Sequence, residues 1–376
     1  MANLIPLINE RFPKDFQIII YLSGYCAQLN NYQIYAVGSF VRDLLLNRTN
    51  KLISLVVDGS VDDFAKNLQK LFSGRLQSLE KYGKATFFLQ NGVRIDMVTA
   101  KREFSLHTDF QFSQKDGFLK KDLYGQDFTI NTMACSLNPD TFGLLYDYFN
   151  GRRDLENGII RVLYKLSFVD DPLRIIRAVK LEQRYTFEIE KDTLDMLKQA
   201  ASHQVLNRLS KESIYHEVLS LFKEPSPLSI LLRFKELGFL NHFFPRTQFS
   251  PELLNTLKEL EAILNNYRDT PFFEPRKIDR TVLFLAAIFH NMQEHDIKFV
   301  LYLMRLRRKD RNKILALRKM IPRILEKITL HSSRNTSLFE LLSQLPEEGL
   351  PLLYVSGKNE RVARVINDYR SHINSY

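Results

Sequence analysis

Val37-Gly38-Ser39-Phe40-Val41-Arg42-Asp43-Leu44-Leu45-Leu46 leaves a β-prone segment, Tyr32–Val37, through a tight Gly-Ser turn and enters a stretch of helical character, Phe40–Leu46. A strand–turn–helix junction of this kind presents backbone N–H groups at the positive end of a helix, a setting that suits phosphate. The neighbouring sequence says what sort of sheet the junction belongs to. Ile53–Val57 reads as a second buried strand, and Val61–Phe72 spaces its apolar residues three and four apart, as an amphipathic helix does. Ala85–Leu89 and Val93–Val98 follow as strands joined by a turn at Asn91-Gly92. Strands linked so tightly pair antiparallel, so this region predicts an antiparallel or mixed sheet rather than a doubly wound parallel one.

Beyond about Asp170 the strand signals nearly vanish. Asp171–Arg184, Lys191–Ala201, Lys211–Phe222, Pro227–Leu237, Glu252–Leu264, Thr281–His290, Ile297–Leu306 and Arg311–Met320 read as helices with leucine-rich stripes and Pro or Asn breaks. Ser226 before Pro227 pairs a cap residue with a first-turn proline. No fixed repeat period is present. The expected fold is α+β: a small head with a mixed sheet over residues 1–150, a neck over 151–222, and a helical body and tail over 223–376.

A chain of 376 residues exceeds a single hydrophobic core. With 45% hydrophobic and 26% charged residues, 14 Gly and 13 Pro, it is neither collagen-like, low-complexity nor wholly disordered. No run reaches the roughly 18 apolar residues of a membrane span; Phe16–Leu22 is far too short. The N-terminal stretch lacks a secretory pattern, and Cys26 and Cys135 cannot build a disulfide framework or a four-thiolate zinc site. A cytoplasmic protein without membrane partners is expected. The formal net charge of +10 attracts polyanions. Most of that excess lies between Arg305 and Lys327, where ten basic residues face two acidic ones. Arg305, Arg307, Arg308, Lys309, Arg311 and Lys313 lead this run on a helical pattern. The run is therefore a candidate for contact with a phosphate backbone, with a solvated helix face as the alternative.

Further blocks follow the first in order: Asp122-Leu123; Asp127-Phe128-Thr129-Ile130-Asn131; Asp147-Tyr148-Phe149-Asn150-Gly151; Asp154-Leu155; Ile160-Arg161-Val162-Leu163; and Phe168-Val169-Asp170-Asp171-Pro172-Leu173-Arg174-Ile175-Ile176-Arg177-Ala178-Val179. Over at least residues 33–222 this series resembles the class II tRNA nucleotidyltransferase and bacterial poly(A) polymerase family. The resemblance implies a polymerase-β-like head, then neck, body and tail helices that hold RNA, tRNA or a tRNA-like 3′ end. It also implies metal-dependent addition of nucleotides, with Mg²⁺ as cofactor and ATP or CTP as ligands. It places Gly38, Ser39, Arg42, Asp43, Asp127, Asp171, Arg174 and Arg177 around the nucleotide. In the family, the Asp and Arg matching Asp171 and Arg174 present an acceptor and donors to the base edge, and the Arg matching Arg177 approaches the phosphates.

One motif departs. The family carries Asp-x-Asp on the strand after the Gly-rich turn, two carboxylates on one face gripping a pair of Mg²⁺ ions. The aligned segment here is Lys51-Leu52-Ile53-Ser54-Leu55-Val56-Val57-Asp58-Gly59, with Leu52 and Ser54 at the ligand positions. Leucine offers no oxygen, a neutral hydroxyl is a poor ligand for a hard cation, and Asp58 lies roughly 13 Å further along a strand. Asp96, at the place of a third carboxylate, is the one remaining candidate ligand, or a structural carboxylate. The family's Arg-Arg before Asp-Phe-Thr is Gly125-Gln126, and its Glu-Arg-Ile is Glu212-Ser213-Ile214.

Each intact position also has a structural reading. Asp171, Arg174 and Arg177 can form a surface ion-pair cluster, Arg42 and Asp43 can buttress the turn, and Asp127 can cap the helix near Thr129. The departures favour a pseudo-enzyme that keeps an RNA-binding shape. The alternative is an active template-independent nucleotidyltransferase adding CCA, CC, A or poly(A). A phosphohydrolase on His290-Asn291 is the third reading, weakened because asparagine is a poor metal ligand.

Overall fold

The structure, a computed structural model, describes residues 2–100, 117–202, 205–266, 277–330, 336–357 and 359–373. It divides into two compact units, Met1–Arg174 with Thr186–Gln199, and Ile175–Tyr185 with Ala200–Tyr376.

The first unit is built on a seven-stranded sheet of β1 (Ile34–Val37), β2 (Leu52–Val57), β3 (Gly74–Leu79), β4 (Lys84–Leu89), β5 (Arg94–Thr99), β6 (Met133–Ser136) and β7 (Leu145–Asp147), in the order β3-β4-β5-β2-β1-β6-β7. The sheet is mixed, as expected. β2 and β5 run parallel, with Ser54 opposite Asp96 and Leu52 opposite Arg94, and all other neighbours are antiparallel. The interior strands β1 and β6 are buried throughout. On one face Val37, Val56 and Ala134 pack under Leu119 and Leu123 of the helix Phe118–Tyr124. Alternation turns Ile53, Leu55 and Val57, all buried, to the other face.

Two helices that the sequence reading did not delimit, Ile5–Arg11 and Lys14–Leu29, precede the sheet. Phe12, at the bend between them, stacks on Phe16 at 4.2 Å and on Phe40 at 5.7 Å. Gly24 lets the second helix touch the chain leaving β6: a Cβ there would lie 1.7 Å from the carbonyl oxygen of Leu137.

The second unit is helical. The helix expected from Asp171 begins at Leu173, because Pro172 drives Asp171 out of the helical region, to φ −133° and ψ 90°. The helix expected over Arg311–Met320 runs from Arg308 to Leu330, straight through Pro322. Ile314, Leu317, Ile321, Ile324 and Ile328 form one continuous buried stripe that carries it past the break. Pro322 stands on the exposed side, where water can take the carbonyl it leaves without a donor. Further helices, Thr336–Ser343, Gly349–Gly357 and Glu360–Ile373, follow it. Among the described residues, no helix is long and apolar enough to cross a membrane.

Candidate functional site

The Gly-Ser turn ends β1. Gly38 sits at φ 68° and ψ −130°, a backbone that residues with a Cβ rarely adopt. The constraint is conformational rather than spatial, since an added Cβ would have no neighbour closer than Gln126 Oε1 at 4.0 Å. Ser39 opens the helix Ser39–Leu45 at once.

From that helix a chain of hydrogen bonds crosses the head. Arg42 is buried; its Nε and Nη2 donate to Asp43 Oδ1 at 2.9 and 2.8 Å, and its Nη1 donates to Asn131 Oδ1 at 2.7 Å. Asp43 Oδ2 accepts from Asn50 at 2.7 Å. Asn131 donates in turn to Asp127 Oδ1 at 2.7 Å, which also accepts from the Phe128 backbone N–H. Asp127 is thus tied to its neighbours, while Phe128 takes the N-cap of the short turn Thr129–Asn131. Asn50 and Asn131 were not singled out from sequence, because an amide that bridges two charged groups has no spacing signature.

Leu52, Ser54 and Asp96 stand together at the β2–β5 junction, and their donors do not fit a pair of divalent cations. Asp96 Oδ1 accepts from Thr86 Oγ1 at 2.8 Å and Arg94 Nε at 2.9 Å, and Arg94 Nη2 lies 2.8 Å from Oδ2. The one carboxylate at the junction is therefore already neutralised. Among the described residues, no group of three or more His, Cys, Asp or Glu side chains is arranged to hold a metal ion, at His290 or elsewhere.

Arg174 is buried, with its guanidinium 5.6 Å over the Tyr164 ring. It donates to Ser167 Oγ, to the Tyr164 hydroxyl at 3.3 Å and to the Gly125 carbonyl at 3.1 Å. Its Nε makes no hydrogen bond and lies 3.8 Å from Asp171 Oδ2, while Asp171 Oδ1 caps the Leu173 N–H. The structure thus brings Asp171 and Arg174 together. Arg177 belongs to the second unit and lies 3.9 Å from Glu217, a carboxylate shared with Lys180 at 2.7 Å.

The basic run divides by use. Arg305 pairs with Glu212, and Arg307 with Asp310 at 2.8 Å. Lys313 reaches Glu348, which is fully buried, at 2.7 Å. Arg308 and Lys309 are exposed, and Arg311 is half-buried. In the same unit His290, Arg246 and Asp296 border a cleft of about 510 Å³. The His290 Nδ1 is buried without a hydrogen-bond partner, and burial, then Arg318, holds its imidazole below the usual histidine range.

Residues 34–161 match the model of the poly(A) polymerase head domain, and residues 186–250 that of the probable RNA and SrmB-binding site of polymerase A. The chain is 28% identical to the A-adding tRNA nucleotidyltransferase of Geobacter sulfurreducens over 98% of its own length and 42% of that protein's. It is 32% identical to the enzyme of the same name from Halalkalibacterium halodurans over 62% of its length and 56% of that protein's. The chain therefore spans less than two thirds of these curated relatives. Among solved structures it resembles the Thermotoga maritima CCA-adding enzyme complexed with tRNA, at 32% identity and a TM-score of 0.74, covering 99% of this chain and 86% of that one. A CCA-adding enzyme with ATP is similar at a TM-score of 0.79 and 32% identity, covering 99% of this chain and 86% of that one.

Proposed function

Because the chain belongs to the tRNA nucleotidyltransferase and bacterial poly(A) polymerase family, we propose that it binds tRNA-like RNA 3′ ends and that its nucleotide-adding step is impaired. One observation supports this reading: beside Leu52 and Ser54, which the sequence resemblance sets at the family's paired-carboxylate positions, the remaining Asp96 is already engaged by Arg94 and Thr86. Bound divalent cations offset several kcal/mol of developing charge in phosphoryl transfer, so a chain that cannot hold them loses turnover rather than slowing it. On this reading Gly38, Ser39, Arg42, Asp43, Asp127, Asp171 and Arg174 serve as retained nucleotide-binding residues for ATP or CTP, and Arg177 as a further one carried by the second unit. Residues 1–150, 151–222 and 223–376 act as head, neck, and RNA-binding body and tail, in the cytoplasm.

The second reading, an active enzyme adding A, CC, CCA or poly(A), draws support from the Asp171–Arg174 pair being kept. Radiolabelled ATP and CTP, offered with tRNA lacking its 3′ end in Mg²⁺ and separately in Mn²⁺, decide between them. No incorporation is expected; robust incorporation overturns the first reading. Activity gained by Leu52→Asp with Ser54→Asp would strengthen it. RNA affinity is expected to fall steeply as salt rises, and a flat salt dependence counts against backbone contact.

A further inference from the structure

The first turn of the helix Arg308–Leu330 carries positive charge at the end where the helix macrodipole favours anions. Arg307, just before it, is held by Asp310. Among the described residues, the side chains of Arg308 and Lys309 have no carboxylate partner, and the buried Nε of Arg311 has no hydrogen-bond acceptor. Arg308, Arg311, Asn312 and Leu315 fall at i, i+3, i+4 and i+7 and so share one helix face. Together with Lys298 and Leu301 of the preceding helix Glu294–Leu303 they line a notch of about 220 Å³. Leu301 is buried and Leu315 half-buried, so cations and an amide surround a partly apolar hollow. One turn beyond Lys298, Tyr302 is 71% exposed, and its ring meets no other aromatic ring or cation among the described residues.

Fold stability asks for none of this. Unpaired cations at a helix start oppose the dipole, and an exposed tyrosine gives up no water. Local rules broken without a structural return mark a surface kept for use. Two guanidinium groups present forked donors suited to phosphate oxygens, and apolar neighbours strengthen the contact by displacing water. An aromatic face beside them stacks on a base only where that base is not already enclosed in a duplex.

We propose that this notch takes one phosphate of a single-stranded stretch of RNA, with the adjoining base stacked on Tyr302. The inference rests on the RNA-binding reading and narrows it to unpaired RNA at one place.

Fluorescence anisotropy of the full chain, with a single-stranded oligoribonucleotide and a blunt duplex of equal length, tests it. Arg308→Gln with Arg311→Gln is expected to weaken single-strand binding roughly tenfold and to lower the slope of log affinity against log salt by about 0.7, the contribution of one phosphate. Arg308→Lys with Arg311→Lys is expected to restore part of the loss. Tyr302→Ala is expected to cost roughly tenfold on the single strand and less than about twofold on the duplex. Circular dichroism melts check that each variant folds. The notch is overturned if folded variants keep wild-type affinity and slope, or if Tyr302→Ala weakens both probes alike. It is also overturned if the arginine changes abolish binding to phosphatidylserine vesicles and spare RNA. If the wild-type chain binds neither RNA probe, the broader RNA-binding reading fails with it.

Discussion

Arg94 and Asp96, two residues apart on β5, form a closed pair on the sheet face that also carries Leu52 and Ser54. Arg94 is half exposed and Asp96 partly so, which places the pair among solvent-screened ion pairs. Asp96→Asn is therefore expected to cost no more than about 1 kcal/mol in urea denaturation and to leave RNA affinity unchanged. A tenfold loss of RNA affinity would assign Asp96 a different part.

Arg42 presents the opposite case. Its side chain is 3% exposed and joins Asp43 to Asn131. Arg42→Ala leaves a part-buried carboxylate and a buried amide without their cation, a change expected to cost about 3 kcal/mol. Chemical denaturation measures this, and a loss below about 1 kcal/mol would mean that the network is not cooperative.

Lys313 lies in the basic run, yet its ammonium is committed to the fully buried Glu348, which also accepts from the Asp279 backbone N–H at 3.2 Å. Lys313→Met is expected to destabilise the fold by about 3 kcal/mol, by stranding that carboxylate. Once corrected for unfolded protein, RNA affinity is expected to stay within about twofold of wild type, far from the loss expected at an RNA-contacting cation. Parallel melting and binding curves on one preparation separate the two effects.

His242 and His290 are both held below the usual histidine range, chiefly by burial, with Lys211 and Arg318 respectively adding repulsion. The unfolded chain takes up these protons first as pH falls. Stability is therefore complete above the ordinary histidine value of about 6.5 and declines as pH drops from there toward the lower folded-state values. Melting temperature is expected to fall over that interval, and the fall to be shallower in His242→Gln with His290→Gln. Equal slopes in the two proteins would move the titration elsewhere.

The sheet was legible where apolar, largely β-branched residues concentrate over a short stretch, as in Ile53–Val57, and where Asn91-Gly92 marked a turn. β3 escaped because Gly74–Leu79 is a largely exposed edge strand without that signature, and β6 and β7 because four and three residues are too short for alternation to register. Pro322 suggested a helix end, and the buried isoleucine stripe overrode it. At the site, the sequence itself shows that Leu52 and Ser54 bring no carboxylate to their strand face. The grip of Arg94 on Asp96 was also within reach, since residues two apart on a strand share a face. The bridge from Arg42 through Asn131 to Asp127 spans 89 positions in its first link alone, and no local pattern encodes it.

Leu52, Ser54, Arg94 and Asp96 have one further consequence. One base balances one acid among them, so that patch of sheet has no net charge. A polyphosphate can lie along it without the electrostatic repulsion that two bare carboxylates would impose. Any nucleotide lodged there should stay when a chelator is added.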